Sequence, residues 1–244
     1  MKRNVRWTML AVGLVAALGL FLFGSYESVR TWRTGAALQK LGRADEEEVP
    51  RVVALLGDYN PMIREAAAQA LGRIGPVAQK DATPALLHAM HDPSGSVRSQ
   101  AAWALGQLGP AAEAVAPLIE ALDDDDPEVR RYAAFALSLF GRTAEPAVPK
   151  LIERLEDPHM AYMAARALGA IGKPAKPSIP HLIAALRKDR SLTRMAFTDA
   201  LAKFGADAKD AVPDLLPLAQ DPDADVRKSA AAALQSIDPD ATKP

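Results

Sequence analysis

The sequence predicts an all-α chain, a stack of repeated helix pairs rather than a closed globule, on three observations. Glycines follow apolar Ala-Leu stretches at Gly75, Gly109, Gly141, Gly172 and Gly205, spaced 34, 32, 31 and 33 residues apart. Prolines keep the same beat at Pro50, Pro84, Pro117, Pro149, Pro180 and Pro213, eight or nine residues after the preceding mark. Strand-like alternation of apolar and polar residues is missing throughout. A period of about 20–50 residues marks repeat architectures, in which each unit buries its apolar face only against its neighbours.

The N-terminus reads separately. Lys2, Arg3 and Arg6 precede an uncharged stretch from Trp7 to Tyr26. Twenty helical residues reach about 30 Å, the thickness of a bilayer core, and Trp7 and Tyr26 stand where interfacial aromatics stand. Residues 1–27 are therefore expected to be a transmembrane anchor. The rival reading is a cleaved signal peptide, but Phe23 occupies a place where a small-x-small cleavage site needs small residues. The short basic tail favours a cytoplasmic N-terminus and an extracytoplasmic repeat domain, although Arg30, Arg33, Lys40 and Arg43 blunt that asymmetry.

Residues 28–44 form a capping helix and linker. Ala37-Leu38 precede Gly42 and Pro50 follows eight residues later, the register of the later units. Asp45-Glu46-Glu47-Glu48 makes the connection polar and favours a helix start. Residues 45–244 then form the repeat domain of six units. In the third unit Pro117 is expected in the first turn of the first helix, where its missing N–H costs nothing. Asp123 to Asp126 end that helix and cap the next, with Pro127 at its first position. Asn60-Pro61, Asp157-Pro158 and Asp221-Pro222 give similar signals. Each closing glycine is expected to end the second helix in a left-handed conformation.

Aligning the units against one another exposes the core stripe. Leucine stands four residues before each mark (Leu71, Leu105, Leu137, Leu168, Leu201, Leu234), and alanine five before it (Ala70, Ala104, Ala136, Ala167, Ala200, Ala233). Ile, Leu or Phe stands immediately before the mark. These positions share one helical face, and alanine lets the facing helix approach closely. The last helix, near Ala230 to Ile237, shows no obvious polar cap.

Composition narrows the function. With 29 basic and 30 acidic residues and a net charge of −1, the chain offers no polyanion-binding surface, so no nucleic-acid partner is expected. Cysteine is absent, which excludes disulfides and thiol chemistry.

Phrases such as Val97-Arg98 followed by Ala101-Ala102-Trp103-Ala104-Leu105-Gly106-Gln107-Leu108-Gly109-Pro110 resemble HEAT repeats, of the short type found in phycobilisome lyase-like proteins. The resemblance covers about residues 45 to 238. It implies a right-handed, armadillo-like α-α superhelix whose second helices line the concave side. Thr83 to His88 is similar to an ankyrin signature, but with an inserted residue and in one unit only.

Related families include enzymes, which makes the chain's candidate chemical groups relevant. HEAT-like hydroxylases carry His-Glu pairs, whereas here the four histidines are followed by Ala89, Asp92, Met160 and Leu182. His88, His91 and Asp92 nominally suit a metal, and Asp123 to Asp126 a calcium ion. The former lie on a surface helix, and the latter lack a turn glycine and spaced ligands. No Gly-x-Ser-x-Gly elbow, P-loop or His-Glu-x-x-His is present. No catalytic residue, cofactor or metal is assigned.

Arg64, Arg98, Arg130, Arg194 and Arg227 recur near the start of each second helix, in register with Asp58, Asp92, Asp124 and Asp221. They are expected to tie the stack together through turn aspartates of their own or the adjacent unit. Ala161 breaks the series and predicts a weaker joint in unit four. A basic stripe gripping an acidic partner is the alternative.

The non-repeating positions carry the functional expectation. Six before the mark stand Gln69, Trp103, Phe135, Arg166, Asp199 and Ala232, and ten before it Glu65, Ser99, Arg131, Tyr162, Met195 and Lys228. Two before it stand Arg73, Gln107, Leu139, Ala170, Lys203 and Ser236. Residues four apart share a helical face, which the resemblance turns toward the groove. Trp103, Arg131, Phe135, Tyr162 and Arg166, with Tyr132 and Met163 one step round, are of the residue types that dominate binding hot spots. They are the predicted partner-binding residues of a membrane-tethered scaffold for a protein or peptide. Trp103 and Phe135 as oversized packing is the competing reading of that face. A lyase- or hydroxylase-type enzyme and a self-associating spacer are the alternatives for the whole chain.

Overall fold

The computed structural model describes residues 28–42, 45–188 and 193–241. The predicted anchor over residues 1–27 lies outside them. Among the described residues no helix is long and apolar enough to cross a membrane. A first helix, α1, covers residues 28–38. Six helix pairs follow: α2 (Val49–Leu55) with α3 (Pro61–Ile74), α4 (Gln79–Ala89) with α5 (Gly95–Leu108), and α6 (Ala112–Glu120) with α7 (Pro127–Phe140). The other three are α8 (Val148–Arg154) with α9 (Ala161–Ile171), α10 (Ile179–Lys188) with α11 (Thr193–Phe204), and α12 (Val212–Leu215) with α13 (Ala224–Ile237).

The expected stripe is the core. Every one of the six leucines and six alanines aligned above is buried, as are Ile74, Leu108, Phe140, Ile171, Phe204 and Ile237. Alanine on this face sets the spacing of successive second helices, and glycine tightens it further. A Cβ on Gly106 would stand 3.0 Å from Ala136 Cα, and one on Gly72 only 2.3 Å from the Trp103 ring. Successive second helices therefore lie close along their length, whereas the shorter first helices touch sparingly. A stack whose one row is drawn together and whose other is splayed must curve toward the tight row. The second helices thus form the concave wall.

Several local expectations change in detail. The closing glycines do take positive φ, but Gly75, Gly109, Gly141 and Gly172 leave the left-handed helical region: Gly172, for example, has φ 72° and ψ −135°. That region is essentially reserved for glycine, and it turns the chain abruptly into the next unit. Between glycine and first helix, units two and four to six interpose short 3-10 segments such as Gly141–Ala147 and Lys173–Ser178. Their alanines Ala78, Ala144, Ala175 and Ala208 are fully buried. Pro84 and Pro117 lie inside α4 and α6 rather than in the first turn, because those helices begin earlier. Asp223, not Asp221, caps α13, accepting the amides of Asp225 and Val226. Pro158 precedes α9 by a turn instead of starting it.

Arg73 donates to the carbonyls of Leu38 (2.6 Å) and Leu41 (3.2 Å), capping α1 on its C-terminal side. Burial holds the Arg73 pKa below its usual value. At the far end α13 exposes Lys228, Ala231, Ala232, Gln235 and Ser236, which are small or polar.

Candidate functional site: the concave wall and its arginine ladder

Each described inter-helix turn is built on one aspartate. Asp58, Asp92, Asp124, Asp157 and Asp221 each accept, through Oδ1, the amide two residues on, at 2.8–2.9 Å. The second oxygen is free to reach across the stack. Arg64 grips Asp92 with two bonds of 2.6 and 2.7 Å, and Arg98 grips Asp124 with two of 2.7 and 2.8 Å. Arg194 pairs with Asp221 at 3.0 Å, and Arg30 with Asp58. A third nitrogen turns back into the arginine's own unit: Nη1 of Arg64, Arg98, Arg130 and Arg227 donates to the carbonyls of Asp58, Asp92, Asp124 and Asp221. The guanidinium fork thus serves its own turn and the next one together, which is why arginine recurs here. These arginines are structural ties, and the basic-stripe alternative has no free guanidinium row to rest on.

The ladder is interrupted in the middle. Ala161 carries no guanidinium, and among the described residues no ion pair joins Arg130 to Asp157. Burial acts to raise the pKa of Asp92 and Asp124, but the arginine hydrogen bonds and the amides of Ser94 and Asp126 outweigh it. Both carboxyls are held below the usual carboxylate range. Asp92, one of three nominal metal ligands, is therefore already engaged. In the acidic run Asp123 holds Lys150 and Arg154, Asp124 holds Arg98, and Asp126 caps α7. Among the described residues no group of three or more His, Asp or Glu side chains is placed to hold a metal ion.

On the concave wall the predicted partner-binding residues divide. Tyr162 is 42% exposed and Arg166 is exposed, its guanidinium 5.9 Å from the Tyr162 ring centroid. Both line a groove of about 340 Å3 with Leu139, Met195, Asp199 and Lys203. Trp103 and Phe135 are half-buried. Trp103 lies over Gly72 and packs on the core, so it seals the joint between α3 and α5. Arg131 pairs with Glu128 and sits 4.4 Å over the Tyr132 ring. Tyr132 and Met163 pack against the core, because one residue of advance turns the side chain by about 100° away from the groove. Ser99, in the groove register, is buried and bonded to the Ser96 carbonyl.

Two exposed residues stand outside the predicted partner-binding set. Leu139, 44% exposed, leans back over Gly106 and forms part of the groove wall. Trp32, 72% exposed, stands ten residues before Gly42, the register of Arg131 and Tyr162. It lines a second groove of about 630 Å3 between α1 and α3 with Thr31, Gly35, Asn60, Met62 and Glu65. The register of the half-unit was the available signal.

The HEAT-repeat family profile matches residues 33–106, 77–125, 115–202 and 179–244. A comparison with curated proteins finds no match. Among solved structures, the complex of CpcE and CpcF of phycocyanin lyase from Nostoc sp. PCC7120 is similar at 27% identity and TM-score 0.59, over 76% of this chain and 75% of that one. A designed armadillo repeat protein in complex with the peptide (KR)4 matches at 20% identity and TM-score 0.64, over 78% and 100%. An engineered protein matches at 24% identity and TM-score 0.65, over 79% and 99%. The last two likenesses establish the fold alone. With the helix-pair period, the buried alanine-leucine seam and the profile in agreement over nearly the whole described chain, this protein belongs to the HEAT-repeat family.

Proposed function

We propose that this protein is a membrane-tethered scaffold that holds a protein or peptide partner, without covalent chemistry, in the concave groove of its repeats. The observation that carries the reading is the row of Leu139, Tyr162, Arg166 and Lys203, all exposed, with half-buried Met195 beside them in one groove. Large side chains cost nothing to replace on a solvated face, so their concentration in one concavity fits recognition. Among the described residues neither Arg166 nor Lys203 forms an ion pair, which leaves two donors beside an apolar floor. The solved neighbours add that proteins of this fold are found with a peptide in one case and as a two-protein complex in another. The tether rests on the apolar run from Trp7 to Tyr26 behind Lys2, Arg3 and Arg6, and the same charges favour an extracytoplasmic repeat domain.

The test is photo-crosslinking from position 139 in the intact chain in its own membrane, comparing the parent with Tyr162→Ala/Arg166→Ala. The double variant should lose most of the crosslinked product while its helical circular dichroism stays unchanged. Equal yields from both proteins would remove the groove from the account. Trp103→Ala is the poorer probe, because it also unseals the α3–α5 joint.

A further inference from the structure

Among the described residues, large apolar side chains are exposed at few places, and half of these crowd one end. Val29, Trp32, Tyr59 and Met62 are 52%, 72%, 66% and 65% exposed, while Val77, Leu139, Tyr162 and Leu216 are scattered along the rest of the stack. Trp32, Tyr59 and Met62 meet at one edge, and Val29 stands one turn before Trp32 on α1. The Asn60 side chain donates to Thr31 Oγ1 at 2.8 Å, and Arg30 lies 5.2 Å over the Tyr59 ring while pairing with Asp58. Trp32 and Met62 line the same groove. The first turn of the stack is thus pinned beside the start of α1 with its apolar tips turned outward.

Among the described residues nothing comparable occurs further along. In the register of Tyr59 stand Pro93, Asp125 and Pro222, and in the register of Met62 stand Ser96, Glu128 and Asp225. The unusual turn is the one nearest the uncharged run. That run ends at Tyr26, and α1 is described from residue 28. Two residues of chain reach at most about 7 Å, and Trp32 lies four helical residues further, about 6 Å along the axis. Trp32 therefore stands no more than about 13 Å beyond the end of the run, and tilt of α1 brings it nearer. The headgroup region occupies about 5–8 Å on each side of a bilayer, and tryptophan, tyrosine and basic residues favour that depth. Exposed Arg33 on α1 supplies a partner for lipid phosphates.

We infer that the surface formed by Val29, Trp32, Tyr59 and Met62 lies in the phospholipid headgroup layer, so that the stack is docked edge-on against the membrane at its first repeat rather than swinging on a free linker. This rests on the tether proposed above and adds an orientation to it: the later turns, bearing Asp125, Glu128 and Asp225, are held away from an anionic surface, and the groove near Tyr162 opens at a fixed height.

The absence of native cysteine makes the test direct. Val29→Cys, Tyr59→Cys and Met62→Cys are spin-labelled singly in the full chain reconstituted into phosphatidylcholine–phosphatidylglycerol vesicles, with Val77→Cys and Leu216→Cys as references. Flotation with the vesicles is measured first. The expected result is a several-fold lower collision rate with a water-soluble nickel chelate at positions 29, 59 and 62 than at 77 and 216, together with a higher collision rate with oxygen. Protein that floats but shows equal nickel access at all five positions overturns the docking and leaves the tether standing. Protein that does not float overturns both. Protection from nickel and oxygen alike means that a second protein, not lipid, covers the surface, and also overturns the proposal.

Discussion

Asp124→Ala should be among the most damaging single changes outside the apolar seam. The Asp124 carboxylate accepts two bonds from Arg98 at 2.7 and 2.8 Å and the amide of Asp126 at 2.8 Å, with side-chain exposures of 19% for Arg98 and 15% for Asp124. Removing one partner of a fully buried ion pair costs about 3–5 kcal/mol, because the other charge is left desolvated. Residual solvent access lowers this, while loss of the turn bond adds about 1 kcal/mol. The expected loss is about 3 kcal/mol. Asp125→Ala, next door but exposed, is the matched control and should fall within about 0.5 kcal/mol of the parent. Urea unfolding followed by circular dichroism measures both, and Arg98→Ala completes a double-mutant cycle with an expected coupling of at least about 1.5 kcal/mol. Equal midpoints for the Asp124 and Asp125 variants, or a coupling near zero, would show that the ladder decorates the stack without holding it.

Three further outcomes are expected. The carboxyls of Asp92 and Asp124 are held below the carboxylate range in the folded protein, so their stabilisation is complete above the unfolded value of about 3.9 and is lost as pH falls through the lowered folded values. Stability should drop from about pH 4 downward, and the acid limb should flatten in an Asp92→Asn/Asp124→Asn variant. Gly172→Ala tests backbone conformation alone, since a Cβ there meets nothing within 4 Å while φ is 72°. A loss of about 1–3 kcal/mol by urea titration is expected, and a neutral result would mean the turn relaxes freely. Hydrogen exchange should be faster in the turn around Asp157, where Arg130 makes no ion pair and Ala161 replaces the arginine, than around Asp92; equal protection would argue against a weak middle joint.

The seam was legible because it repeats. A residue type that returns in register six times can only be answering the same neighbour, so Leu71 to Leu234 and Ala70 to Ala233 could be placed in the core without coordinates. The arginine ladder was legible in part: register linked Arg64 to an aspartate, but the bridge to Asp92 of the next unit required knowing which turn lay beside it. The groove was legible least. Trp103 and Tyr162 fall in related positions on their helices, yet Gly72 gives the indole a seat that Tyr162 lacks, and Leu139 enters the groove by leaning over Gly106.

The sequence by itself determined the helix pairs, their number and the buried face, because those follow from period and local propensity, while the side turned inward came from the HEAT-repeat resemblance. Tertiary structure decided which inward residues remain accessible, which aspartate each arginine meets, and that the first turn gathers Trp32, Tyr59 and Met62 onto one edge. These depend on distances between units, and the close approach of backbones at small residues sets such distances.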